Sequence, residues 1–163
     1  ESRRRGGKAV NEVDVYNATR LAIDGDAVAA LVARVLEAEQ VTNAELAVEF
    51  VGERRIRELN REHRGRDEVT DVLSFPLEEA DEEPDPDDPS PRLLGDIVIC
   101  SRQAVRQAQG DDLPPAFELA VLLVHGTLHL LGYDHEADVG QMLVRQAEVL
   151  ELVAWEGLIA TSP

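Results

Sequence analysis

Three of the four histidines in the chain fall within one short segment, His125-Gly126-Thr127-Leu128-His129-Leu130-Leu131-Gly132-Tyr133-Asp134-His135. In a helix, positions 125 and 129 stand one turn apart on the same face, so two imidazoles can bind one cation. A break at Gly132 lets the chain double back and bring His135 to the same ion. Three neutral nitrogen donors suit zinc, one ion per chain, and three protein ligands leave a fourth position for water. Nickel, cobalt and copper are accepted by the same donors. One histidine on an apolar helix is usually a core residue held by a hydrogen bond. Three in the most apolar stretch of the sequence are costly to bury unless something common satisfies them. A purely structural ion is the weaker reading, because closed structural sites use four ligands and several cysteines, and Cys100 is the single cysteine here.

The spacing of the first two histidines is that of the metalloprotease helix His-Glu-x-x-His, yet Gly126 stands where the glutamate general base would be. Peptide hydrolysis then lacks its usual proton acceptor. A metal that acidifies its water still suits a phosphodiester, where charge stabilisation and in-line positioning supply much of the catalysis. An arginine beside the metal would bind the scissile phosphate, its planar fork matching two oxygens.

The elements that must position these groups are legible in the hydrophobic periodicity. Strands are expected at Val10–Tyr16, Glu45–Val51, Thr70–Phe75 and Leu94–Cys100. Helices are expected at about 27–38, 53–63, 101–109 (capped by Ser101), 116–131 and 138–155, the last with Val139, Met142, Leu143, Val149 and Leu150 inward. The helix at 116–131 is apolar almost all round and must be central. On the helix at 53–63, Arg54, Arg57, Arg61 and Arg64 share one side and Ile56 and Leu59 the other. The arginine stripe as a whole reads as a solvated face paired with Glu53, Glu58 and Glu62. Residues 1–9 read as a flexible basic lead-in, 10–157 as one domain and 158–163 as a tail. Within the domain, 77–91 is rich in Asp, Glu and Pro and reads as a mobile loop.

A net charge of −17 argues against a nucleic-acid partner, since phosphate backbones are bound by Lys and Arg. Its distribution weakens that objection. Eight of the 33 acids lie between Glu78 and Asp88, while Arg54, Arg55, Arg57, Arg61, Arg64 and Arg66 bring six of the 16 basic residues together. No apolar run is long enough to cross a bilayer and no secretory signal opens the chain, so no membrane partner is expected. The lone Cys100 in an apolar run reads as a buried, inert thiol, which suits a reducing cytoplasm.

His-Gly-x-Leu-His-Leu-x-Gly-Tyr-Asp-His from His125 to His135 resembles the signature of the YbeY family of endoribonucleases at every fixed position. Two further segments agree: Asn60 through Arg64-Gly65-Arg66-Asp67 into Thr70-Asp71-Val72-Leu73-Ser74-Phe75-Pro76, and Leu94-Gly95-Asp96-Ile97. His63 stands where many relatives carry an aromatic residue. The resemblance implies an α+β fold, with the expected strands forming a small mixed four-stranded sheet packed with about five helices. The metal site would lie on the central helix and the turn after it. It further implies His125, His129 and His135 as zinc ligands and Arg64 as the catalytic-site arginine. The implied activity is single-strand-specific cleavage of RNA, in 3′-end maturation of small-subunit ribosomal RNA and ribosome quality control, in the cytoplasm. Partners would then be single-stranded RNA, ribosomal RNA and the small ribosomal subunit, not DNA.

Neighbouring residues carry weaker expectations. Asp134 and Asp138 could hold an imidazole from behind, although Asp138 suits an N-cap equally well. Tyr133 could donate to a phosphate or pack at the break. Asp71, Ser74 and Asp96 could line the cleft, with structural hydrogen bonding the favoured role, and Trp155, at helical spacing with Leu152 and Leu158, reads as core. Two rival functions remain open at this level: a ribosome-associated assembly factor whose zinc holds the last helices together, and a metal-dependent hydrolase of another substrate. Oligomeric state is not readable.

Overall fold

The four strands expected from periodicity form one sheet in the computed structural model, which describes residues 10–77, 85–134 and 140–160. They are β1 (Glu12–Asn17), β2 (Ala44–Val51), β3 (Val72–Pro76) and β4 (Arg92–Cys100), in the order β1-β2-β4-β3. The pairs β1/β2 and β2/β4 are parallel and β3/β4 is antiparallel, so the sheet is mixed and β3 is an edge strand. Five helices pack with it: α1 (Gly25–Ala38), α2 (Glu53–Arg64), α3 (Ser101–Gly110), α4 (Pro115–Leu130) and α5 (Gln141–Leu150). The architecture is α+β.

Alternation along β2 sorts its residues by face. Ala44, Leu46, Val48 and Phe50 turn into the main core with Val28, Leu31, Val32 and Val35 of α1 and Leu119, Leu123 and Leu128 of α4. On the other face, Val51 joins Leu73, Val98 and Cys100 beneath Ile56 and Leu59 of α2. Helix α4 is buried on nearly every side, between the sheet and α1, α3 and α5. Its ends follow local rules, with Pro115 in the first turn and Gly132 (φ 104°) just past the last.

A bulge at Leu94 shifts the β2/β4 register, and the next residue, Gly95, has φ 135°. A Cβ there would lie 2.2 Å from the Phe75 carbonyl oxygen, so only glycine lets β3 and β4 pair this closely.

Several expectations need correcting. Helix α5 starts at Gln141, because Gly140 is left-handed (φ 96°) and cannot sit inside a helix, and it ends at Leu150. Trp155 therefore does not share a helix face with Leu152 and Leu158, but it does pack against the core as expected, edge-on to Phe117 at 5.4 Å, while Leu152 is exposed. Met142 and Val149 are buried as expected but Leu143 is exposed, since only one stripe of α5 meets α4. Ser101 is already helical, with Cys100 at the cap position. Residues 158–160, set apart above as a tail, belong to the fold: Leu158 is fully buried and Ile159 bridges Ile23. Residues 85–91 carry Asx turns at Asp85 and Asp88, and Asn43 donates to the Pro89 carbonyl. The lead-in 1–9, the acidic stretch 78–84 and residues 135–139, with His135, Asp138 and Val139, lie outside the described residues.

Candidate active site

A cleft of about 720 Å³ opens along edge strand β3, walled by the end of α2 on one side and by α4 on the other. Arg64, His125 and His129 all line it, with Asp71, Ser74 and Asp134. Residues far apart in sequence thus meet across one cavity.

Arg64 is the last residue of α2, and Gly65 (φ 71°) ends the helix by turning left-handed. The following loop is tied back to α2. Asn60 is buried and donates from Nδ2 to the Glu68 carbonyl, and the Arg57 guanidinium makes two hydrogen bonds to Asp67 at 2.8 and 3.3 Å. That pairing holds the Asp67 carboxyl below the usual range. Arg61 also faces Asp67, and Arg54 and Arg55 face Glu58, so the stripe is largely self-neutralised, with Asp67 an unexpected partner. Arg64 is exposed and lines the cleft, and among the described residues it makes no ion pair.

His125 and His129 stand on successive turns of α4 with ring centroids 4.6 Å apart, both half-buried. Nδ1 of His125 lies 2.8 Å from Oε1 of Gln146 on α5. With the amide oxygen accepting, Nδ1 carries the proton and Nε2 the lone pair, the form a metal-ligating imidazole takes. Two nitrogen donors at one-turn spacing on a cleft wall suit a borderline cation such as zinc. The described residues contain no cluster of three donors, and the third expected ligand, His135, is outside them.

Helix α4 ends in a Schellman turn. Gly132 N–H donates to the His129 carbonyl and Tyr133 N–H to the Leu128 carbonyl, reversing the chain against the last turn of α4. The Tyr133 hydroxyl then donates to Glu39 at 2.8 Å, and Arg145 binds the other Glu39 oxygen at 2.6 Å and the Ala38 carbonyl at 3.0 Å. Burial and the Glu39 bond raise the Tyr133 pKa. Of the two roles open to Tyr133, the structure assigns the anchoring one.

Gly126 explains why the glutamate of a protease helix is missing. A Cβ at this position would lie 2.8 Å from Cγ2 of Ile97, a fully buried residue of β4, so the sheet occupies the space a side chain needs. Ser74 closes the same contact by donating to the Gly126 carbonyl at 3.3 Å. Asp71 caps the start of β3 by accepting from Val72 N–H at 2.7 Å, and Gln107 bridges it to the buried Glu118. Asp96 instead lies on the α2 face of the sheet, away from the histidines. Gln146, Glu39 and Arg145 carry no sequence signal, because a polar residue on an amphipathic helix looks the same whether it faces solvent or a site.

Comparison with known proteins agrees with this arrangement. The sequence model of the family described as Endoribonuclease YbeY matches residues 14–154. Proteins named Endoribonuclease YbeY from Macrococcus caseolyticus and Staphylococcus carnosus are 48% and 49% identical over 109 and 112 residues, covering 66% and 67% of this chain and 70% and 72% of theirs. The solution structure of TM1509 from Thermotoga maritima superposes with a TM-score of 0.59 at 28% identity, covering 85% of this chain and 87% of that one. With the family match spanning nearly the whole described fold, the chain belongs to the YbeY endoribonuclease family.

Proposed function

We propose that this protein is a zinc-dependent, single-strand-specific endoribonuclease acting in the cytoplasm on the 3′ end of small-subunit ribosomal RNA and in ribosome quality control. The observation that carries the reading is the meeting of Arg64 with His125 and His129 on one cleft. His125, His129 and His135 would hold the ion. When bound, zinc supplies Lewis acidity, which acidifies a water and offsets charge on a phosphoryl oxygen. Arg64 binds the non-bridging oxygens of the scissile phosphate and stabilises the charge that grows on them during attack. Gln146, accepting from Nδ1 of His125, would leave Nε2 for the metal, and Ser74 and Asp71 hold β3 as the cleft floor.

The test is elemental analysis and cleavage of a labelled single-stranded RNA, both on the wild type and on His129→Ala. One zinc per wild-type chain, with metal and cleavage lost together in a folded variant, supports the proposal. Zinc without cleavage points instead to an assembly factor with a structural ion, and a variant that unfolds points the same way, since a structural ion contributes folding free energy directly.

A further inference from the structure

The α2 face of the sheet is only half covered. Ile56 and Leu59 of α2 pack over β3, β4 and the end of β2 at Val51, whereas among the described residues no helix covers the rest of the β1–β2 half on this side. A groove of about 600 Å³ remains there, lined among others by Tyr16, Glu49, Arg55, His63, Phe75 and Asp96. His63 and Phe75 line both this groove and the cleft that holds Arg64, so the two cavities adjoin at one pair of rings. Those rings meet edge to face with centroids 4.9 Å apart, and Tyr16 stands 58% exposed at the far side.

We infer that this groove binds the bases of the single-stranded RNA next to the scissile phosphate; the inference rests on the endoribonuclease reading above. Three planar side chains offer stacking faces, which single strands use because their bases are free to splay out. The carboxylates of Glu49 and Asp96 repel phosphate but accept hydrogen bonds from base amino groups. Arg55 is itself shared with Glu58 at 3.5 Å, so the groove offers little to a phosphate chain. The cation for the backbone, Arg64, lies at the cleft end. Bases therefore turn into the groove and the backbone follows its rim. A paired strand has no unstacked base to present, which makes the groove a physical source of single-strand preference.

The experiment is fluorescence anisotropy of a labelled six-nucleotide single strand on wild type, Tyr16→Ala and His63→Ala, read in the first seconds after mixing and before cleavage. The same titration uses a strand with abasic sites beside the cleavable linkage. Each variant should bind the intact strand about five- to hundredfold more weakly than wild type, while all three proteins bind the abasic strand alike. Unchanged affinity in both variants overturns the inference, as does an equal loss on the abasic strand, which would mean backbone contact. A Lys/Arg-rich peptide that binds in a Tyr16-dependent manner while RNA affinity is unaffected also overturns it, in favour of a basic protein partner. Binding is read without turnover, so absent metal or cleavage would sink the nuclease reading and leave the groove result standing.

Discussion

Gln146 sits behind His125, on a different helix, with its Oε1 2.8 Å from Nδ1. Replacing it by Leu keeps the volume and removes the acceptor. Zinc affinity should fall about 10- to 100-fold, measured by competition with a chromogenic chelator, while the circular dichroism spectrum stays that of the wild type. An unchanged affinity would show that the bond is incidental. Arg64 makes the opposite prediction: Arg64→Ala should keep its full metal content yet lose about 100- to 1,000-fold in the rate of RNA cleavage, the usual cost of removing one preorganised charge donor. A variant that cleaves at the wild-type rate removes Arg64 from the chemistry.

At the scale of elements, the contact between α4 and β4 is set by one missing side chain. Gly126 lets the histidine helix approach Ile97 so closely that a methyl group does not fit. Gly126→Ala should therefore destabilise the fold by about 1–3 kcal/mol in urea titration, although alanine is the better helix former. In an Ile97→Ala background the clash is gone, and the same substitution should be neutral or stabilising. Additive effects in this double-mutant cycle would refute the steric account. The same contact explains why a glutamate cannot be restored here to make a protease helix. The boundaries of α5 carry a related lesson. Periodicity alone runs the helix from 138 to 155, but Gly140 takes a left-handed conformation and the chain after Leu150 turns so that Leu158 and Ile159 can close against Asp24 and Ile23.

For the whole molecule, acid and base stability should carry the mark of Glu118. Burial is the largest influence and raises its carboxyl above the usual glutamate range; the Gln107 amide opposes this, and the charges of Asp71 and Asp111 add to it. A pKa higher in the folded than in the unfolded chain means that the stabilising contribution is complete below the unfolded value. It is lost as pH rises through the folded one. Glu118→Gln still accepts from Gln107 and cannot ionise, so its melting temperature should exceed that of the wild type at neutral pH. The gap should close on acidifying to about pH 4. A gap that is the same at every pH would assign it to packing instead. No single described helix is long and apolar enough to cross a membrane.

By itself the sequence determined the element types, the identity of the central helix, the one-turn spacing of His125 and His129 and the family to which the chain belongs. These depend on local periodicity, turn chemistry and residue type, which are written in consecutive positions. The family resemblance pointed to Arg64, and the tertiary structure puts it on the same cleft as those histidines; tertiary structure alone decided that Gln146 stands behind one of them and that Asp96 lies on the other face of the sheet. It also decided that Tyr133 anchors to Glu39, 94 residues away in the chain. Such pairings arise from how helices and strands pack across long sequence separations, where no local pattern distinguishes a side chain that meets a partner from one that meets water.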